Sequence, residues 1–129
     1  MSTALLDTNV LVDIYRNRRS ATQSLMQLEV KTFCFSILTY AEFLGGASIR
    51  HKAETRKFLS KFPIIDIDTS ITNEVKKLSY SNALHKNHIH DLFIAATAIS
   101  KKFILVTANV KHFPYKAIHI HKYETGFFI

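Results

Sequence analysis

The segment from Asp91 to Lys102 constrains the fold of this chain more than any other. Leu92, Phe93, Ile94, Ala95, Ala96, Ala98 and Ile99 leave a helix there with almost no polar face. A helix that is apolar all round belongs in the middle of a protein. Asp91 in its first turn and Lys101-Lys102 in its last turn both suit the helix dipole. What surrounds it is a series of short apolar or β-rich runs: Ala4-Leu5-Leu6, Thr32-Phe33-Cys34-Phe35, Pro63-Ile64-Ile65, Ile104-Leu105-Val106 and Ile118 to Ile120. Each has the length and content of a buried strand.

Helical patterns separate these runs. Asn9 is placed to cap a helix through Tyr15, and beyond the polar patch 16–20 a second helix puts Ala21, Leu25 and Leu28 on one face. Ser36 precedes a helix with Ile37, Ala41 and Leu44 in register, ended by Gly45-Gly46. A charged helix follows over residues 49–62. Asp68 or Thr69 caps another, with Ile71, Val75 and Leu78 aligned, and the polar, basic stretch 82–90 reads as a loop. Strands alternating with helices predict an α/β fold, a parallel sheet of about five strands with helices on both faces. Ligands of such sheets bind beyond the carboxyl ends of the strands. Asp7-Thr8-Asn9 and Thr107-Ala108-Asn109 fall at two of those ends.

The chain has 129 residues, which predicts a single domain over 1–129. Seventeen Lys and Arg against ten Asp and Glu give a net charge of +7, favouring polyanionic partners. Three glycines exclude a Walker loop or dinucleotide fingerprint, and one cysteine excludes an internal disulfide framework. No apolar run approaches the ~18–20 residues that span a bilayer, and the first residues carry no basic leader. The expectation is a cytoplasmic protein with no membrane role.

Because acids are scarce, their positions are informative. Asp7 closes the first strand, Glu42 flanks an apolar helix face, and Asp91 opens the most buried helix. A carboxylate so placed costs several kcal/mol unless it is paired or binds a cation. Carboxylates in groups suit Mg²⁺ or Mn²⁺, which can orient water and stabilise phosphoryl displacement. Taken singly, Asp7 and Asp91 also fit capping and dipole roles, and Asp66 and Asp68 fit a turn and a cap. Asp13 fits a salt bridge or a supporting place behind the site.

Four segments together resemble one family. Leu5-Leu6-Asp7-Thr8-Asn9-Val10-Leu11-Val12-Asp13 is similar to the opening of PIN-domain ribonucleases, especially the VapC-type toxins of toxin–antitoxin pairs. Ser36-Ile37-Leu38-Thr39-Tyr40-Ala41-Glu42-Phe43, His90-Asp91-Leu92-Phe93-Ile94-Ala95-Ala96-Thr97-Ala98 and Leu105-Val106-Thr107-Ala108-Asn109-Val110-Lys111-His112-Phe113 resemble the next three motifs, in order. The resemblance implies a metal-dependent endoribonuclease using Mg²⁺ or Mn²⁺, with Asp7, Glu42 and Asp91 as catalytic, metal-holding acids. It implies that Thr8 and Thr107 orient ligands or water while Asn9 and Asn109 brace the site. RNA as substrate, a small antitoxin as partner and a homodimer are implied as well.

The fourth motif departs from the family pattern, because His112 stands where an Asp is expected. Three motif acids remain, and His112 becomes either a ligand or a rim residue. That keeps a second reading open, a catalytically weak PIN fold that binds RNA or protein without cutting. A dehalogenase-like phosphatase would need Asp-x-Asp where Asn9 stands, and a phosphoaccepting receiver would need paired acids after the first strand. His85, His88 and His90 crowd one loop with Lys86, where phosphate or water is their expected contact. His119 and His121 share a strand face, and a closed zinc site needs four converging ligands.

Overall fold

A computed structural model of the chain describes residues 2–81 and 88–123. Its centre is a five-stranded parallel sheet in the order β3-β2-β1-β4-β5. The strands are β1 (Thr3–Leu6), β2 (Thr32–Ser36), β3 (Ile64–Ile65), β4 (Ile104–Thr107) and β5 (His119–Lys122). Leu5 of β1 pairs with Cys34 on one side and Leu105 on the other, so β1 is central. The α/β parallel architecture expected from the alternation is the one observed.

Among the described residues six α-helices cover the sheet: α1 (Thr8–Tyr15), α2 (Arg19–Met26), α3 (Ile37–Gly46), α4 (Lys52–Leu59), α5 (Thr69–Ser81) and α6 (Ile89–Lys101). Alternation along the strands decides which face each one meets. Leu5, Cys34 and Leu105 point to the face packed by Ile71 and Leu78 of α5 and by Leu92, Ile94 and Ala95 of α6. Ala4, Leu6, Phe35 and Val106 point the other way, against Val10 and Leu11 of α1, Ala21 of α2 and Leu59 of α4. Each fully buried Leu or Ile stabilises the fold by about 1.5–3 kcal/mol before entropy is counted. Cys34 has no solvent exposure, and its thiol contacts the Ala4 carbonyl oxygen at 3.5 Å. Burial pushes that thiol up to about 12.

Several boundaries differ from those the sequence predicts. Asp7, not Asn9, caps α1, accepting the Thr8 N–H at 2.9 Å. The chain leaves β1 and enters α1 without a linker, so the residue closing the strand is also the cap. Gly45 and Gly46 lie within the last turn of α3, which Ala47 ends in extended conformation. The charged helix is a single 3-10 turn (Ile49–His51) followed by α4. The central helix α6 begins two residues early, at Ile89, which takes His90 into its first turn and leaves His88 as the residue before it. Residues 82–87 of that loop, with His85 and Lys86, lie outside the described residues. The Ser36 and Asp68 caps are as expected, with Leu38 N–H on Ser36 Oγ at 3.1 Å and Ile71 N–H on Asp68 at 3.0 Å. Asp68 also pairs with Lys101, and these hydrogen bonds hold its carboxyl well below the usual range. Among the described residues no helix is long and apolar enough to cross a membrane.

Candidate metal centre

The carboxyl ends of β1 and β4 lie side by side, and the Asp7 N–H donates to the Val106 carbonyl at 3.0 Å. That contact brings Asp7-Thr8-Asn9 beside Thr107-Ala108-Asn109. The Asp7 side chain is 8% exposed and held at both oxygens. Oδ1 accepts the Thr8 N–H, and Oδ2 accepts the hydroxyl of fully buried Thr107 at 2.8 Å. Thr107 Oγ1 in turn accepts the Asn109 N–H at 3.0 Å, fixing the hydroxyl that orients Asp7.

Glu42 reaches the same place from α3, with its side chain 53% exposed rather than buried against the apolar face as the sequence suggests. Its Oε1 accepts the Thr8 hydroxyl at 2.5 Å and stands 4.0 Å from Nε2 of His90. Asp91 arrives from the first turn of α6, where the helix dipole favours an anion. Asp7, Glu42 and Asp91 thus line one cavity of about 300 Å³, together with Thr8, Asn9, His88, His90, Asn109 and His112. Burial holds the Asp91 carboxyl above the ordinary aspartate value, and the Asp7 charge adds to the rise. His112, His90 and His88 pull it back. A carboxyl crowded by another carboxylate in a partly desolvated cavity is relieved by a cation. The donor set of three carboxylates and two amides fits a hard divalent ion.

Of the nine site residues expected from sequence, eight line this cavity or hold a residue that does. The exception is Asp13. It is buried on α1, accepts the Tyr123 hydroxyl at 2.7 Å, and pairs with Arg18 at 3.5 Å. It ties the segment after β5 to α1, which is the salt-bridge role, and it does not line the cavity. His112, at the end of a 3-10 turn after β4, places Nδ1 3.3 Å from Asp91 Oδ2. His88 and His90 are the cavity residues that the sequence assigned to a solvated loop. His90 falls in the first turn of α6, and His88 stands immediately before it.

Two further hollows adjoin the centre. One of about 710 Å³ shares Thr8 and Glu42 and runs past Val12, Tyr15, Arg16, Phe43 and His51. Another of about 450 Å³ shares Asn109 and His112 and is lined by Lys111 and Lys122. Arg16 stands in the first hollow beside Glu42 and Glu54, and Lys111 and Lys122 make the second one cationic.

The hydroxyl of Thr107 offers a direct test of how Asp7 is held. Thr107→Val keeps the shape but leaves a buried carboxylate oxygen and the Asn109 N–H unpaired. The expected loss is about 1–3 kcal/mol in denaturant unfolding. Divalent-metal affinity should also fall, by roughly 10–100-fold in calorimetric titration. Wild-type values for both would show that Thr107 does not hold Asp7.

The model of the PIN domain family matches residues 4–117. Ribonuclease VapC1 of Methanocaldococcus jannaschii is 36% identical over 117 residues, which cover 87% of this chain and 79% of the relative. The tRNA(fMet)-specific endonuclease VapC of Shigella flexneri is 25% identical over 84% of this chain and 88% of its own length. A solved toxin–antitoxin complex from Klebsiella pneumoniae contains a chain 34% identical to this one, with a TM-score of 0.73 and coverage of 88% and 92%. With the family's motifs set in order on its parallel sheet, the chain belongs to the PIN-domain family, in its VapC-type branch.

Proposed function

We propose that this chain is an endoribonuclease dependent on Mg²⁺ or Mn²⁺, the toxin of a pair with a small antitoxin. The convergence of Asp7, Glu42 and Asp91, from three separate elements, on one cavity carries this reading. These three would hold the metal, which supplies an activated water and charge neutralisation at the scissile phosphate. The chain's own residues do the rest. Thr107 and the Thr8 N–H fix the direction of the Asp7 carboxylate, and the Thr8 hydroxyl fixes Glu42. Asn9 and Asn109 bring amide groups to the cavity wall, where they can donate to a phosphate oxygen or to water. Lys111 and Lys122 on one side, and Arg16 on the other, supply positive charge for a phosphate backbone that crosses the centre.

The partner assignment draws on the net charge of +7, which suits an acidic tail, and on the likeness to the chain in the Klebsiella complex. A homodimer completes the reading. One feature favours the alternative, a binding module without cleavage: His112 beside Asp91 replaces an acid by a group that is neutral or cationic.

Incubating the purified protein with tRNA and with unstructured RNA separates the two. Cleavage should require Mg²⁺ or Mn²⁺ and stop with chelator. Binding without cleavage under either metal selects the alternative, and chelator-insensitive cleavage overturns the metal mechanism.

A further inference from the structure

The acidic centre has a second, chemically different side. His88 immediately precedes α6, Asp91 is the third residue of that helix, and His112 ends the turn after β4. One ligand atom from each lies within 4.8 Å of the other two. The His88 and His112 rings are neighbours, 4.5 Å apart between centroids and tilted by 42°. Asp91 Oδ2 and His112 Nδ1 are 3.3 Å apart. A charge-assisted hydrogen bond is usually shorter, about 2.7–2.9 Å. Two ligand atoms, each about 2.0–2.1 Å from a tetrahedral ion, stand roughly 3.4 Å apart.

We propose that His88, Asp91 and His112 form a site for a first-row transition-metal ion, binding Zn²⁺ more tightly than Mn²⁺ and both more tightly than Mg²⁺. Two imidazoles and one carboxylate are a borderline-soft donor set with room for water or a phosphate oxygen at the remaining positions. Mg²⁺ prefers an all-oxygen shell and keeps its waters, so it gains little from imidazole. Mn²⁺ lies below Zn²⁺ in the general order of affinities for nitrogen-containing sites. The site extends the metal centre proposed above, with which it shares Asp91, but its existence does not depend on RNA being cut. An ion there links the start of α6 to the turn after β4, two segments that no chain connection joins locally.

Calorimetric titration of the full chain with Zn²⁺, Mn²⁺ and Mg²⁺ tests the order, and Co²⁺ serves as a spectroscopic probe of nitrogen ligation. Zn²⁺ should bind at least about 100-fold more tightly than Mg²⁺ and raise the thermal midpoint. His88→Gln and His112→Ala should each weaken Zn²⁺ by about tenfold or more and leave Mg²⁺ affinity within about threefold. His112→Asp should narrow the gap by gaining Mg²⁺ affinity and losing Zn²⁺ affinity. Without any substitution, Zn²⁺ should protect His88 and His112 from diethyl pyrocarbonate where Mg²⁺ does not, so a misfolded variant cannot obscure the result. Zn²⁺ binding no tighter than Mg²⁺, or unchanged Zn²⁺ affinity in both histidine variants with neither ring protected, overturns the proposal. A protein that binds Zn²⁺ here yet never cleaves RNA would overturn the nuclease reading alone.

Discussion

Asp91→Asn should lower RNA cleavage by roughly 10²-fold or more while leaving the metal-free protein at least as stable as the parent. The two effects share a cause. Burial and the neighbouring Asp7 charge raise the native Asp91 carboxyl above its ordinary value, so ionised Asp91 is strained when no cation is present. The sign of the pH effect follows. Between the unfolded and the raised native value the folded state binds the proton more tightly, so stability falls as pH rises through that window. Above it the unfavourable contribution is fully present. Asparagine cannot ionise, so the stability difference should grow in the variant's favour from about pH 4 upward. Saturating Mg²⁺ should then stabilise wild type more than the variant. Chemical denaturation at several pH values, with and without metal, and a cleavage assay measure all of this. A variant that unfolds more easily throughout would make Asp91 a structural dipole partner of α6 instead.

Phe35→Ala carries the largest expected loss of stability, about 3–5 kcal/mol. Phe35 is fully buried on β2, stacked with Tyr40 at 6.5 Å and edge-on to Phe62 at 5.9 Å. Phe62 continues to Phe58 at 5.5 Å, and Phe58 to Tyr15 and Phe43. The chain of rings therefore runs from the sheet to the residue next to Glu42. Removing its first member should lower the thermal midpoint by roughly 10–20 °C. It should also reduce metal affinity at temperatures where the protein is still folded, because α3 loses the support that aims Glu42. Urea unfolding and metal titration report the two losses separately. A stability loss under about 1 kcal/mol would mean that the neighbouring rings close the cavity.

The strands, the Ser36 and Asp68 caps and the central helix were legible because each is a local pattern of burial and hydrogen bonding. The same locality explains the misplaced cap of α1. Asp7 and Asn9 are both good capping residues, and only the abrupt end of β1 decides between them. The site was legible in its acids, since Asp7 and Asp91 are expensive to bury without a purpose. Its hydrogen bonds were not. Thr8 meets Glu42 across 34 positions, and Thr107 meets Asp7 across 100. Asp13 could not be assigned from sequence because its partner Tyr123 is 110 positions away and arrives only when β5 joins the sheet. His88 and His112 meet for a similar reason: they are far apart in the chain, and only the fold brings their rings to 4.5 Å.

The lone thiol of Cys34 gives the molecule an internal clock. It lies in the middle of β2 with no solvent exposure, and its pKa of about 12 leaves almost no thiolate at neutral pH. An alkylating reagent can reach it only when β2 separates from β1, and separation of central strands is opening of the whole sheet. The rate at which label appears on this sulfur, under conditions where reclosing is slower than labelling, is therefore the unfolding rate itself. Any ion or partner that binds the folded chain and slows its opening will be recorded at an atom it never touches.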